Sequence, residues 1–438
     1  MPAVAHSSVP TVPTFDEVFP RTGALRRSLS ARARRAATRG AMIAAATPFA
    51  VAAAIMASDA VRRRSRPLTG KFPVTPPADR PVGENTARVY TFGEDVFADM
   101  LEAIRGARRT VMLETYIWKD DQVGREFKTA VEDAAARGVD VYVVFDGFAN
   151  LVVPRSFLTF ADDVHTLRFP AYRPGSLLLN VRKSGRDHRK LLVVDDEIGF
   201  VGGFNIGADY ANQWRDTHTR LVGPAVWELR NAFVDFWNLH RDDDEPLLED
   251  PGSPVWDPSV RAARNAPARL TFPIRNLYLD AIDRATSSIS ITQAYFIPDR
   301  EILGGLLQAA ARGVDVRVIV PERSNHVLAD WLARGHFTTL LEGGVRIFLF
   351  RDAMVHAKTA TVDGTWTTIG TANIDRLSLT GNYEVNIEVV EPALAEQMGA
   401  IFETDLSNCR ELTLDEWTAR PVVAKLSEWT LQPLRPLL

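Results

Sequence analysis

Hydrophobic positions along this chain change period, and the change happens twice. From Val111 to Ile117 the residues are β-rich. Phe127, Ala130, Val131 and Ala134 then recur at helical spacing, and Gly138 stands where such a helix would stop. An apolar run from Val139 to Phe145 follows, the pattern of a buried strand. The same order returns later. Residues from Ile289 to Phe296 read as a strand, Leu303, Leu306, Leu307 and Ala310 as a helical face, Gly313 as its stop, and Val314 to Val320 as the next strand. Strand–helix–strand units join parallel strands, so a parallel or mixed sheet is expected in each half of an α/β protein. At one place the repeat is literal: Ala134-Ala-Ala-Arg-Gly-Val-Asp-Val141 recurs as Ala309-Ala-Ala-Arg-Gly-Val-Asp-Val316.

The segments outside these units read differently. Gly40 to Ser58 contains no charged residue, and nine of the residues from Ala41 to Ala57 are alanine. Arginines flank it on both sides, and Pro48 lies near its middle. Such a stretch is long enough for a bilayer core. It equally fits a helix lying on a membrane surface, or a soluble alanine-rich helix in a disordered arm. It begins too far from Met1 for a cleaved signal peptide. The expected organisation is a basic arm with its candidate membrane segment 40–58 and linker over 1–87, a first half over 88–245, and a linker over 246–273. A second half over 274–412 and an amphipathic tail over 413–438 complete it.

Composition is that of a folded protein, 46% hydrophobic and 24% charged. The single cysteine, Cys409, excludes an intrachain disulfide and a cysteine metal cluster, and fits a reducing compartment. Charge is unevenly placed. Residues 1–71 carry eleven Arg and one Lys against Asp16, Glu17 and Asp59, a net +9, while the whole chain is −4. The acidic remainder argues against wide nucleic-acid binding, which rests on neutralising many phosphates. The basic arm suits an anionic membrane surface.

The candidate chemistry lies in a second repeated pattern. His188-Arg-Lys190-Leu-Leu-Val-Val-Asp195 is matched by His356-Ala-Lys358-Thr-Ala-Thr-Val-Asp363. Two residues apart on a strand, His and Lys share a face. Asn205 and Asn373 each follow their His by seventeen residues, and Asp216 and Glu384 by twenty-eight. A phosphodiester under attack gains negative charge, which Lys ammonium and Asn amide groups can hold. One imidazole can attack phosphorus while a second protonates the leaving alkoxide. A carboxylate on the far ring nitrogen fixes the tautomer. Both copies are needed because one half has only one such His, and no metal or other cofactor is required. Asp195 and Asp363 complete the motifs, but each follows a strand at a turn, where a carboxylate bonding backbone amides is the expected role. His6, His165, His218, His240, His326 and His336 belong to no such set.

Paired His-x-Lys-x4-Asp motifs resemble the phospholipase D superfamily, over roughly residues 88–412. Phe200-Val-Gly-Gly-Phe-Asn205, Tyr295-Phe-Ile-Pro298, Gly370-Thr-Ala-Asn-Ile-Asp375 and Asn382-Tyr-Glu384, with Tyr116-Ile-Trp118, are similar to the bacterial cardiolipin synthase branch. Arg376-Leu377-Ser378 departs from that branch, which often has Pro at the first position. The resemblance implies two α/β sandwich halves about a pseudo-twofold axis with one shared active site. It implies His188 as nucleophile and His356 as acid–base, a pair whose roles near-symmetry leaves reversible. Lys190, Lys358, Asn205 and Asn373 would bind phosphoryl oxygens, and Asp216 and Glu384 would orient the imidazoles. The implied reaction joins two phosphatidylglycerol molecules into cardiolipin and releases glycerol, at the inner membrane with the catalytic part facing the cytoplasm. Hydrolysis of a phospholipid or nucleic acid, and a membrane scaffold with a relict site, are the competing readings. The sequence does not set the oligomeric state. Leu151-Val-Val-Pro154 with Phe157 and Phe160, Leu177-Leu-Leu179, and the tail from Val422 to Leu438 are the candidate membrane-facing stretches.

Overall fold

The computed structural model describes residues 68–173, 185–249 and 258–431, with Lys183, Gly252 and parts of 36–61. Leu177-Leu-Leu179, residues 432–438 and part of the 40–58 segment lie outside the described residues. Residues 47–59 are helical. Among the described residues no helix is long and apolar enough to cross a membrane. Residues 1–54 and 55–438 form two compact units, and both motif-bearing halves lie in the second.

Each half is built on an eight-stranded sheet. The first runs Asp79–Val82, Asn85–Tyr90, His218–Val222, Ile198–Gly202, Leu191–Val194, Thr110–Thr115, Asp140–Asp146, Val164–Phe169. The second runs Val260–Asn265, Glu384–Val390, Trp366–Gly370, Lys358–Val362, Ser288–Gln293, Asp315–Pro321, Arg346–Phe350, Cys409–Leu412. In each, the three strands of the predicted strand–helix–strand region and its continuation are parallel. The motif strand joins that parallel block antiparallel, so the sheets are mixed.

The repeated helices start and stop by the same devices. Asp121 accepts from the Gly124 amide ahead of Gln122–Ala136, and Asp299 accepts from the Glu301 and Ile302 amides ahead of Arg300–Ala311. Each carboxylate satisfies amides that have no partner in the first turn. Beyond each helix a glycine takes a positive φ, 85° at Gly138 and 90° at Gly313, which costs a residue without Cβ little. The predicted face Phe127, Ala130, Val131 and Ala134 is buried. In the second helix the buried face is Ile302, Leu306 and Ala309, with Leu303, Leu307 and Ala310 half-buried at its edge. That helix packs on Pro273–Arg284, as Gln122–Ala136 packs on Gly93–Gly106.

The two halves exchange elements across their junction. Helix Val226–His240 of the first half meets edge strand Val260–Asn265 of the second, which lies in the stretch 246–273 read as a linker. Reciprocally, helix Pro392–Leu406 meets edge strand Asp79–Val82, which lies in the stretch 1–87 read as the arm. One apolar core takes Leu229, Phe233 and Trp237 from one side and Ile387, Val389 and Met398 from the other. Two short parallel pairings reinforce the crossing: Trp214–Arg215 with Met354–Val355, and Asp187 with Tyr383.

Deeper in the junction, Arg215 forms a bidentate pair with Asp405, at 2.9 and 2.6 Å, both side chains buried. Tyr383, at the matching place in the second half, reaches back to His240 at 3.0 Å and packs against Phe169 and Phe236. Removing one member of a buried ion pair strands the other charge, a loss of about 3–5 kcal/mol. Asp405→Ala is therefore expected to lower the unfolding free energy by about that amount. Urea denaturation followed by circular dichroism measures it, and a change within 1 kcal/mol would show that the pair is not what ties the halves.

Candidate active site

His188 and Lys190 stand at the entry to strand Leu191–Val194, and His356 and Lys358 at the entry to Lys358–Val362. Both histidines, with Asn205 and Asn373, line one cleft of about 600 Å³. The expected four-part sets thus converge on one place, but their pairing is crossed. His188 Nδ1 lies 2.9 and 3.0 Å from the carboxylate oxygens of Glu384, in the second half. His356 Nδ1 lies 2.6 Å from Asp216 Oδ2, in the first. With Nδ1–H donated to a carboxylate, Nε2 is the ring nitrogen left to the cleft.

The crossing follows from the short pairings at the junction. His188 N–H donates to the Tyr383 carbonyl at 3.1 Å, one residue before Glu384. His356 N–H donates to the Arg215 carbonyl at 2.6 Å, one residue before Asp216. Each histidine is therefore held in register with the opposite half's acid. Close approach also needs small residues. A Cβ on Gly203 would stand 2.1 Å from Asp216 Oδ1, and one on Gly370 2.4 Å from the Val385 carbonyl. Thr371, in the place corresponding to Gly203, instead donates its hydroxyl to Glu384 Oε2 at 2.6 Å.

The lysines lie beneath the imidazoles and are buried. Lys190 Nζ donates to the His188 carbonyl and Lys358 Nζ to the His356 carbonyl, and Lys358 Nζ is also 2.9 Å from His356 Nδ1. Asn205 Oδ1 accepts the Ile117 amide at 3.2 Å, which aims its amide nitrogen elsewhere. Asn373 Oδ1 is buried without a hydrogen-bond partner.

Burial dominates the electrostatics. It pushes His188 well below the ordinary histidine range and His356 down to about 3, each helped by neighbouring lysine charge. It brings Lys190 down to about 7 and Lys358 to about 8. The two acids respond in opposite senses. Burial raises Glu384 to about 8 against the pull of Lys190. Burial also works to raise Asp216, but Lys358 and His356 together hold it below the usual carboxylate range. Asp216 thus remains an anion beside His356, while burial disfavours charge on Glu384 beside His188.

Asp195 and Asp363 do not reach the cleft. Asp195 accepts the amides of Arg108, Arg109 and Thr110 at 2.7 to 2.9 Å. Asp363 accepts those of Thr286, Ser287 and Ser288 at 2.8 to 2.9 Å, and the hydroxyls of Thr286 and Ser287 at 2.8 Å. Both carboxylates clamp the start of the neighbouring central strand, which corrects their inclusion among catalytic candidates. Of the remaining histidines, His326 lines the cleft, while His218 is buried beside the site with no hydrogen-bond partner on either ring nitrogen.

Several lining residues carry no motif. Tyr116 stacks edge-on to His188 at 4.8 Å and Trp214 to His356 at 5.1 Å, with Tyr295 at 6.3 Å. The matched Tyr116-Ile-Trp118 and Tyr295-Phe-Ile segments carried a signal for two of them. Asp375 and Asn382 lay in the segments from Gly370 to Asp375 and from Asn382 to Glu384, and Ser378 in the departing Arg376-Leu377-Ser378, while Tyr210 and Trp214 had no signal beyond their place between Asn and acid. Of the membrane-facing candidates, Leu151 and Val152 are 60% and 94% exposed, but Phe157 and Phe160 pack against the first half's core. Phe148 and Leu377, at the cleft, are exposed as well. In the tail helix Val422–Leu431, Leu431 is buried while Val422, Val423, Leu426 and Trp429 are exposed. Among the described residues no group of three or more His, Cys, Asp or Glu is arranged to hold a metal ion.

This constellation, two imidazole–carboxylate pairs exchanged between two sheets, places the fold and site with known proteins. The family described as "Cardiolipin synthase, PLD-like domain" matches residues 100–237 and 278–406. The chain belongs to this family. It is 30% identical over 370 residues to a cardiolipin synthase of Clostridium perfringens strain SM101, covering 81% of this chain and 77% of the relative. It is 32% identical over 369 residues to a cardiolipin synthase of Staphylococcus aureus strain Mu50, covering 81% and 74%. The fold is similar to that of phosphatidylserine synthase from Haemophilus influenzae Rd KW20, with TM-score 0.59 and 16% identity over 84% of this chain and 95% of that one.

The clamps carry the prediction here. Asp363 has a depressed pKa because burial is outweighed by the amides of Ser288, Ser287 and Thr286 that it accepts. Its contribution is therefore present above the unfolded carboxylate pKa, about 4, and is lost as pH falls through the folded value. Asp363→Ala should cost about 1–2 kcal/mol at pH 7, with the gap to wild type closing below pH 4. Urea unfolding across pH measures this, and a gap that does not depend on pH would refute the ionised clamp.

Proposed function

We propose that this enzyme transfers a phosphatidyl group from one phosphatidylglycerol to another, forming cardiolipin and releasing glycerol. The observation that carries the reading is the pair of crossed imidazole–carboxylate contacts on one cleft, in a chain whose relatives are named cardiolipin synthases. His188 Nε2 attacks phosphorus, and the bond to the leaving glycerol oxygen breaks. His356 supplies that oxygen's proton. The headgroup hydroxyl of a second lipid then gives its proton to His356 as it attacks phosphorus, and His188 departs. Lys190, Lys358, Asn205 and Asn373 hold the phosphoryl oxygens as their charge grows.

Burial keeps both imidazoles neutral in the free enzyme, the form a nucleophile requires. Ionised Asp216 on one side of His356 and the negative phosphodiester on the other favour its imidazolium once substrate is bound, as an acid requires. The exposed Phe148 and Leu377 give the cleft an apolar approach suited to a lipid, and the exposed Leu151 and Val152 follow Phe148 in the chain. With the basic arm, they support a reading of the enzyme at the inner membrane, its catalytic part towards the cytoplasm, with phospholipid and not nucleic acid as partner.

Lipid product analysis of purified protein on phosphatidylglycerol micelles tests the reaction. Cardiolipin and glycerol are expected, while phosphatidic acid alone or no change would reject transfer. His188→Ala and His356→Ala should each lower turnover by roughly 10³-fold. A nitrophenyl phosphodiester, whose leaving group needs no proton, should restore covalent labelling in His356→Ala but not in His188→Ala. The reverse pattern would exchange the two roles.

The lysines set the alkaline limit. Lys190 and Lys358 lose their charge near 7 and 8 in the free enzyme, chiefly through burial. Since the charged forms bind the phosphodiester, kcat/KM should fall as pH rises through that range. A flat kcat/KM profile from pH 7 to 10 would remove the lysines from phosphate binding.

A further inference from the structure

The cleft is symmetric at its centre and asymmetric at its walls. Matching the halves from Asn205 and Asn373 sets Gly207 against Asp375, Tyr210 against Ser378, and Trp214 against Asn382. All but Gly207 line the cleft. The first half thus offers two aromatic rings where the second offers a carboxylate, a hydroxyl and an amide. A side chain at Gly207 would meet the Lys119 side chain, with a Cβ 2.9 Å from its Cδ, so that lysine would have to shift.

The polar side is built and not merely left over. Asp375 is 7% exposed and Ser378 2%. Asp375 Oδ1 accepts the Ser378 amide at 2.7 Å, which fixes the carboxylate at the edge of the cleft. Asn382 Oδ1 accepts the Arg186 amide at 3.1 Å, and its amide nitrogen lies 3.5 Å from Glu384 Oε1, linking this wall to the acid behind His188. Burial raises Asp375 to about 7, so near neutrality this carboxyl group can both accept and donate a hydrogen bond.

A phosphatidyl transferase must take the hydroxyl of a polyol in preference to water or a simple alcohol. A carboxyl group beside a hydroxyl and an amide, facing an aromatic wall, is chemistry that binds vicinal hydroxyls. We infer that Asp375, Ser378 and Asn382 form the subsite that recognises the glycerol hydroxyls of the acceptor, and so select the alcohol that resolves the phosphatidyl–His188 bond. In that step the P–N bond to His188 breaks, the P–O bond to the acceptor forms, and the hydroxyl proton passes to His356. Asp375 takes no part in the proton transfer and holds the neighbouring hydroxyl. The inference rests on the proposed transfer reaction.

Competition between acceptors tests it. Full-length enzyme acts on phosphatidylglycerol micelles with equal molar deuterated glycerol and ethanol. Mass spectrometry reads labelled phosphatidylglycerol, phosphatidylethanol, cardiolipin and phosphatidic acid. The ratio of glycerol to ethanol product is set after the covalent intermediate forms, so it does not depend on how fast that intermediate appears. Wild type should favour glycerol by tenfold or more. Asp375→Ala should lower that preference at least fivefold, and Ser378→Ala at least twofold. Asp375→Asn keeps a helix cap of equal quality, so it decides the matter if Asp375→Ala does not fold, with an expected loss of about threefold. A wild type without preference for glycerol, or a ratio unmoved in every folded variant, overturns the subsite. Absence of any lipid product from wild type overturns the transfer reading and the subsite with it, and is distinct from an unchanged ratio.

Discussion

Everything in this molecule is arranged around two hydrogen bonds that cross it, His188 to Glu384 and His356 to Asp216. The second is buried and the first nearly so, and an imidazole facing a carboxylate there keeps its tautomer only while the partner stays within hydrogen-bond reach. Neither half contains both partners. The site therefore exists only when the halves are docked in one register. The exchanged edge strands, the shared apolar core and the Arg215–Asp405 pair supply that register. The backbone bonds from His188 to Tyr383 and from His356 to Arg215 carry it to within one residue of the acids.

Symmetry brings the parts together, and its local failure makes them differ. Glutamate replaces aspartate on one side, and Thr371 stands in the place of Gly203 to brace the longer side chain. In a poorly solvated site such differences are not averaged away by water. Asp216 remains ionised under the influence of Lys358, while Glu384 is forced upward by burial. The two imidazoles, both driven low by burial, thereby face carboxylates of different charge state. The walls follow the same logic, aromatic on one side through Tyr210 and Trp214, polar on the other through Asp375, Ser378 and Asn382.

Much of this was legible in the chain because it is encoded locally. The strand–helix–strand units follow from period, cap and stop residues that lie within twenty positions of one another. His, Lys, Asn and acid keep fixed spacing because each step is set by one strand, one turn and one return strand. Even the place of Asp195 and Asp363 after a strand pointed to the amide clamps that the structure contains. The edge strands Asp79–Val82 and Val260–Asn265 escaped notice because their apolar partners belong to the other half, so their own sequences show little pattern.

The sequence by itself determined that there are two similar halves, what each is made of, and which eight polar side chains form the repeated sets. Only the tertiary structure decided which acid serves which histidine. Equal spacing in both copies is satisfied equally by pairing within a half or across the axis, and the partners are 196 and 140 residues apart. No local preference distinguishes those choices. Packing of the two sheets, with reciprocal exchange of their edges, makes the crossed arrangement the one in which each imidazole meets a carboxylate.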